Sequence, residues 1–437
     1  MITRIDNGNV WTNSQLQQLS ILVSGGKIAG LLASEKASLI SADEVIDAQG
    51  SWILPGGIDL HVHISDGIET FYPGSCCAAV GGVTTVLDMA PIHGCVKTDQ
   101  FVEKIKLGQA SSVVDFGLIA GIVTSEEDLD QLSRLAELGA AYFKVFMPSE
   151  PPVSTTTLWK AVQVAAHIGL RLALHAEDVS FFKSINNLTD PLGFAHSRPA
   201  IAETSAVAQV LEMARAAGAP IHICHVSTAR AAELIANAKA HGVDVTAEVA
   251  FHHLLFDENA FVKFGSRVKT TPPLRTKTDT EALWQALSDG IIDVLVSDHY
   301  IESLEPRSLD PTKIAAAYSG IGGLEVSLPL IYYAGVVQGK MTLERFVAVT
   351  SARPAEIARL KLKGKINLGA FADLTFWKPY ETWQLTNQGP FSHCETTPYY
   401  KWKIVGKVVH TMVRGKMVWD GEKIVANPGW GRWLNCK

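Results

Sequence analysis

Several features are missing from this 437-residue chain. No apolar run reaches the roughly 18 residues that a membrane helix needs. The opening residues Met1-Ile2-Thr3-Arg4-Ile5-Asp6-Asn7 lack the basic and apolar regions of a signal peptide. Charged residues make up only 19% and the formal net charge is −6. No basic stripe is available for nucleic acid. The six cysteines are scattered, with Cys76-Cys77 the sole close pair. Neither a disulfide framework nor a C-x-x-C zinc motif can be drawn through them. A cytoplasmic protein is expected, with neither nucleic-acid nor membrane partners. What is abundant is core-forming material: hydrophobic residues are 47%, enough for one large barrel and an accessory unit.

From about residue 53 to 300, short apolar runs alternate with amphipathic stretches. Strands are predicted at Trp52–Leu60, Thr84–Met89, Val114–Gly121, Ala141–Met147, Arg171–His175, Pro220–Val226, Val245–Val249 and Asp293–Asp298. Helices are predicted at Glu126–Leu138, Thr157–Ile168, Ala202–Ala217, Ala229–His241 and Thr278–Asp289. This alternation is the pattern of an α/β protein, a (β/α)8 TIM barrel. Further helices at Thr312–Ala317, Gly323–Gln338 and Thr342–Arg353 would complete its wall. Both chain ends instead carry short alternating strands with hairpin turns. They predict one small β-sandwich that the chain begins, leaves and completes. The expected division is 1–52 (sandwich), 53–364 (barrel) and 365–437 (sandwich).

Candidate chemistry collects at predicted strand ends, where such barrels carry their active sites. His61 and His63 stand at i and i+2 on one strand, so their side chains share a face. Paired imidazoles of this kind suit a transition metal such as zinc. An ordinary pair of strand histidines would have the same spacing. Lys144 lies inside Ala141-Tyr142-Phe143-Lys144-Val145-Phe146-Met147, where an unpaired ammonium is costly. An ammonium has no lone pair for a metal, but the neutral amine and carbon dioxide give a carbamate that can bridge two cations. Its tip could equally escape to solvent at the strand end. His175 closes Arg171-Leu172-Ala173-Leu174-His175. In Pro220-Ile221-His222-Ile223-Cys224-His225, His222 and His225 have opposite strand parity. Only one is expected to face the barrel centre, and spacing leaves open which. Asp298 closes Asp293-Val294-Leu295-Val296-Ser297-Asp298, as a metal or proton-transfer group or as a helix cap.

The chain resembles the cyclic amidohydrolases of the amidohydrolase superfamily: hydantoinases, dihydropyrimidinases, allantoinases and dihydroorotases. The resemblance runs through Pro55-Gly56-Gly57-Ile58-Asp59-Leu60-His61-Val62-His63, Gly81-Gly82-Val83-Thr84-Thr85, Phe143-Lys144-Val145-Phe146-Met147 and His175-Ala176-Glu177. It continues through His222-Ile223-Cys224-His225-Val226-Ser227, Pro272-Pro273-Leu274-Arg275, Ser297-Asp298-His299 and Lys363–Leu374. It implies two divalent metal ions, zinc being the expected choice. His61, His63 and Asp298 would hold one, and His175 and His225 the other. Lys144, as N6-carboxylysine, would bridge both with a hydroxide. That hydroxide would open a ureide, hydantoin or imide ring, with Asp298 as catalytic base and then acid. The resemblance favours His225 over His222 as ligand and implies a homotetramer or dimer.

The loops depart from each branch of the family. Dihydroorotases follow their H-x-H with Arg-Asp-Pro-Gly, whose arginine binds the substrate carboxylate; here Ile64-Ser65-Asp66-Gly67 follows. The asparagine of that branch is also missing from Asp88-Met89-Ala90-Pro91. The tyrosine that hydantoinases place after the lysine strand is replaced by Pro148-Ser149-Glu150. The Ser-Pro that allantoinases place after Asp-His is replaced by Tyr300-Ile301. Substrate contacts are expected from Ser149, Thr271, Tyr300 and the backbone near Gly320–Gly323, Gly322 among it, and Arg275 is expected in a structural ion pair. The alternatives are a dihydroorotase-like enzyme of pyrimidine metabolism and a non-catalytic, dihydropyrimidinase-related scaffold.

Overall fold

The computed structural model describes residues 1–89, 97–184, 190–303, 307–310, 313–387 and 391–436. Among these, the barrel is a ring of parallel strands: β1 (Gly57–His63), β2 (Val83–Asp88), β3 (Asp115–Leu118, resuming as Ala120–Val123), β4 (Phe143–Phe146), β5 (Leu172–His175), β6 (Ile221–Ile223), β7 (Val245–Ala250) and β8 (Val294–Val296, resuming as His299–Tyr300). Neighbours pair in this order, and the second half of β8 returns to β1 through His299↔Val62 and Tyr300↔His63. The amide of Asp298 donates to the His61 carbonyl at 3.0 Å across the same seam. Ring closure therefore brings the two ends of the predicted site side by side.

Helices fill the connections and begin and end where their sequence dictates. Ser154 accepts a hydrogen bond from the Thr157 amide and starts Thr155–Ile168; Gly169, at φ 69°, ends it. Thr228 caps Ala229–Ala240. Thr276 and Asp279 form a reciprocal capping box on Lys277–Asp289. The predicted helices thus occur within a few residues of their expected starts, the largest shift being Leu129–Leu138 for Glu126–Leu138.

Three expectations change. The predicted strand Trp52–Leu60 is two strands, broken at Gly56. Trp52–Pro55 belongs to the terminal sheet, pairing with Ile2–Thr12 and Leu374–Gln384, and only the continuation is β1. The chain changes sheets at Pro55-Gly56-Gly57, and position 56 admits only glycine there, since a Cβ would lie 2.3 Å from the Thr84 side chain. The predicted helix Thr312–Ala317 begins outside the described residues, and 313–317 form turns rather than α-helix. The two long C-terminal helices are shorter α segments interrupted by π-helical turns at Tyr332–Val337 and Ala348–Ala352.

The terminal segments pair into one eight-stranded sheet that combines strands from residues 2–55 with strands from 374–419. It folds over its own core of Ile5, Val10, Ile21, Ile53, Leu374, Phe376 and Met412. Its edge strand Lys27–Leu32 is tied to the 369–371 turn by Ile28–Ala370 and Gly369–Ile28 backbone bonds. The final residues return to the barrel, where the Leu434 amide donates to the Phe116 carbonyl at 2.8 Å. Among the described residues, no helix is long and apolar enough to cross a membrane.

Candidate active site

A cavity of about 280 Å³ opens at the C-terminal ends of the barrel strands. His61, His63, Lys144, His175, His225 and Asp298 all line it. His61 and His63 share β1, Lys144 lies in β4, and the others stand at or just past the ends of β5, β6 and the first part of β8; all six are mostly buried.

The orientation of the imidazoles is set from behind. His61 gives its Nδ1 to the Glu248 carboxylate and turns Nε2 toward Asp298 Oδ1, 3.2 Å away. His63 gives Nδ1 to Asp66 at 2.9 Å, leaving Nε2 3.7 Å from the same Asp298 oxygen. His175 uses the opposite nitrogen, giving Nε2 to Glu177 at 2.7 Å. Its Nδ1 then faces His225 Nε2 at 3.1 Å. A proton held by a buried carboxylate on one ring nitrogen leaves a lone pair on the other, which is how metal-binding histidines are oriented.

The charges agree with such a role. Burial pushes the His61 imidazole down to about 3 and that of His175 down to about 4, and holds His225 well below its ordinary value. Neutral imidazole is the form that ligates metals. Burial pushes the Asp298 carboxyl up to about 7, outweighing the opposing pull of His63. A cation between Asp298 and the free nitrogens would satisfy both. The ligand atoms of His61, His63 and Asp298 lie within 4.8 Å of one another. The donor set therefore fits divalent metal.

His225 and Asp298 sit at φ 33° and 49°, positive values that non-glycine residues rarely adopt. This turn corrects the parity argument. His225 lies beyond β6, which ends at Ile223, so strand alternation no longer governs it. Both histidines reach the barrel interior at different depths. His222 bonds Thr246 Oγ1 at 2.8 Å and Glu248 Oε2 at 2.9 Å, while His225 lines the cavity.

Lys144 is buried, and its Nζ lies 3.0 Å from Cys224 Sγ, a weak acceptor. No carboxylate forms an ion pair with it among the described residues. Phe146, two residues on, lines the cavity beside it and packs on His175 at 4.4 Å between ring centroids.

The expected substrate contacts divide. Thr271 and Tyr300 line the cavity; Ser149 and Gly322 do not. The Ser149 hydroxyl donates to the Pro151 carbonyl at 2.8 Å, fastening its own turn. Gly322 lies under Ile301; of the expected glycine segment Gly320 forms the wall, together with Ser319. Gly320, at φ 136°, passes so close to Tyr300 that a Cβ would stand 2.6 Å from its ring. Arg275 is buried and bonds Ser227 Oγ at 3.0 Å and the Arg198 carbonyl, with Glu177 3.7 Å from its guanidinium. It buttresses the residue that orients His175, as a structural ion pair should.

Sequence reasoning missed Glu248, Asp66 and Glu302. Glu248 could have been found by the reasoning applied to Lys144, because it is a charged residue inside the apolar strand Val245–Ala250. Asp66 and Glu302 stand in loops where sequence gives no direction.

An α/β barrel with metal-oriented histidines at its C-terminal strand ends defines a hydrolase class. The model of the amidohydrolase family matches residues 52–418, and the chain belongs to that family. It is 33% identical over 430 residues to a dihydroorotase of Pediococcus pentosaceus, covering 96% of this chain and 99% of that protein. It is 30% identical to an allantoinase of Escherichia coli, covering 96% and 95%. Among solved structures, L-hydantoinase (dihydropyrimidinase) from Arthrobacter aurescens superposes with a TM-score of 0.92 at 29% identity, over 99% of each chain.

Proposed function

We propose that this chain hydrolyses a cyclic amide of the ureide, hydantoin or imide type, opening the ring between carbonyl carbon and nitrogen. The observation that carries the reading is the inward orientation of the imidazoles around Asp298, three of them fixed from behind by buried carboxylates. His61, His63 and Asp298 would hold one divalent ion and His175 and His225 a second. Lys144 would stand between them as N6-carboxylysine, which would remove an unpaired ammonium from the apolar interior. Two such ions, zinc by the nature of the donor set, would polarise the ring carbonyl and acidify the attacking water.

The remaining chemistry falls to the chain. Asp298 accepts the proton of the attacking water and delivers it to the leaving ring nitrogen. Its buried setting keeps it competent in both directions. Met89, Ile122 and Phe146 give the cavity one apolar wall that excludes bulk water from the ring. Thr270, Thr271 and Tyr300 add polar groups to the lining. We also infer a cytoplasmic oligomer, with 53–364 as its catalytic unit between the β-rich segments 1–52 and 365–437.

The test is elemental analysis of purified protein together with ring-opening assays on hydantoin, allantoin, dihydrouracil and dihydroorotate. About two divalent ions per chain and turnover of at least one ring are expected. Protein without metal and without turnover would overturn the reading in favour of a scaffold.

A further inference from the structure

The charge of the cavity wall narrows the substrate, an inference that rests on the hydrolase reading above. Apart from Lys144 and the histidines, the described lining residues include no cation, and the wall carries Glu302 beside Tyr300. The Tyr300 ring packs against His63 at 5.7 Å between centroids, and its hydroxyl donates to Glu302 Oε2 at 3.4 Å. Tyr300 therefore spans the wall from the metal-side histidine to Glu302, which is exposed at the mouth.

Nearby cations are already committed. Lys269 Nζ donates to the carbonyls of Ala315 and Ala317, at 3.2 and 2.5 Å. Arg307 gives its guanidinium to the carbonyls of Lys269, Tyr318 and Arg267, at 3.4, 3.2 and 2.9 Å. Arg198 and Arg275 are turned to Glu177, and Lys104 to Asp88 and Asp66. The internal segments outside the described residues (90–96, 185–189, 304–306, 311–312 and 388–390) contain neither lysine nor arginine.

We propose that the pocket favours a cyclic amide whose ring substituent is positively charged or rich in N–H donors, and disfavours rings carrying a carboxylate, with Glu302 as the specificity-determining residue. A carboxylate at this mouth would meet the like charge of Glu302 with no lysine or arginine beside it among the described lining residues. An ammonium or amide would meet an acceptor already oriented by Tyr300. The discrimination is modest in both directions. Rejection of the anion stays small because the exposed mouth leaves much of its water in place. Preference for the cation is modest because Glu302 is exposed and screened.

Three hydantoins matched in length at carbon five test this: 2-carboxyethyl, 2-carbamoylethyl and 3-aminopropyl. At neutral pH the carboxylated ring should have a kcat/KM up to about fivefold below that of the amide. The amino ring should exceed the amide by up to about fivefold. Glu302→Gln should erase the advantage of the amino ring over the amide, mainly through KM. Glu302→Lys should raise the carboxylated ring above the amino ring, a gain that a misfolded protein could not produce. Equal turnover of all three rings, or a charge order unmoved by both substitutions, would overturn the proposal. Calorimetric binding of the three rings to Asp298→Asn protein separates the two readings. The expected binding order without turnover of any ring by metal-loaded wild type would sink the hydrolase reading alone. Absence of the charge order in binding would sink the specificity proposal alone.

Discussion

Two clusters of buried acidic groups lie at opposite ends of the barrel, and they are built on different rules. At the joint with the terminal sheet, Lys363 Nζ reaches Asp115 at 2.6 Å and Asp373 at 2.7 Å. Arg414 covers the other Asp115 oxygen, and its amide donates to Asp373 Oδ1 at 2.8 Å. Two cations answer two carboxylates, all within the chain. At the C-terminal strand ends, Asp298 and Glu248 both face His61, which burial keeps neutral, and Lys144 is turned to a thiol. A self-balanced cluster is a clasp. One in which Asp298 meets the inward nitrogens of imidazoles fixed from behind is arranged for a cation from outside.

The largest effect expected from this contrast is on turnover. Asp298→Asn keeps the shape and an oxygen donor but cannot relay a proton. Ring-opening kcat should fall by at least about a hundredfold, while elemental analysis still finds most of the metal. Turnover near the wild-type value would remove Asp298 from its proposed role. At the other cluster, Lys363→Met strands two carboxylates in the interior. It should cost about 3–5 kcal/mol of stability, read from denaturant unfolding, with the metal content of the folded protein unchanged. Metal loss without destabilisation would mean that the two ends are not independent.

A smaller effect should come from the orienting shell. Glu248→Gln replaces an acceptor shared by His61, His222 and the His225 amide. Metal affinity should weaken by about 10–100-fold, measured by competition with a chelator of known strength. An unchanged affinity would show that His61 holds its ring direction without this carboxylate.

The same contrast explains what could be read from sequence. The barrel and the six cavity-lining residues were legible because each is a polar residue inside an apolar run, as Lys144 is, or where such a run stops, positions defined by order along the chain. Of the carboxylates behind them, Asp66 and Glu177 lie three and two residues from the histidines they orient, but spacing alone gives no direction; Glu248 is visible as a charge in an apolar strand, yet it is 187 residues from His61 and their meeting follows only from ring closure. The break at Gly56 was hidden for a different reason. An apolar run looks the same whether it lies in one sheet or passes between two, so Trp52–Pro55 and β1 read as one strand. The inward turn of His225 was hidden because alternation describes regular strand, and this residue lies past its end at positive φ. The described part of the predicted helix at 312–317 failed because short amphipathic spacing without a cap does not hold a helix.

The smallest effect tests the mouth rather than the metal end. Ser149 follows the Lys144 strand, and its place along the chain resembles that of a substrate contact. In the fold it instead closes a local turn onto Pro151, outside the cavity wall. Ser149→Ala should therefore change kcat/KM by less than about twofold for every ring that is opened, since a surface hydrogen bond of this kind contributes little beyond its own turn. Tyr300→Phe should act on the same rings selectively, because it removes the hydroxyl that steadies Glu302 while keeping the ring against His63. If Ser149→Ala instead altered the ranking of substrates, the turn would have to fold inward over bound ring. Position along the sequence would then have been the better guide to the mouth than the arrangement of its walls.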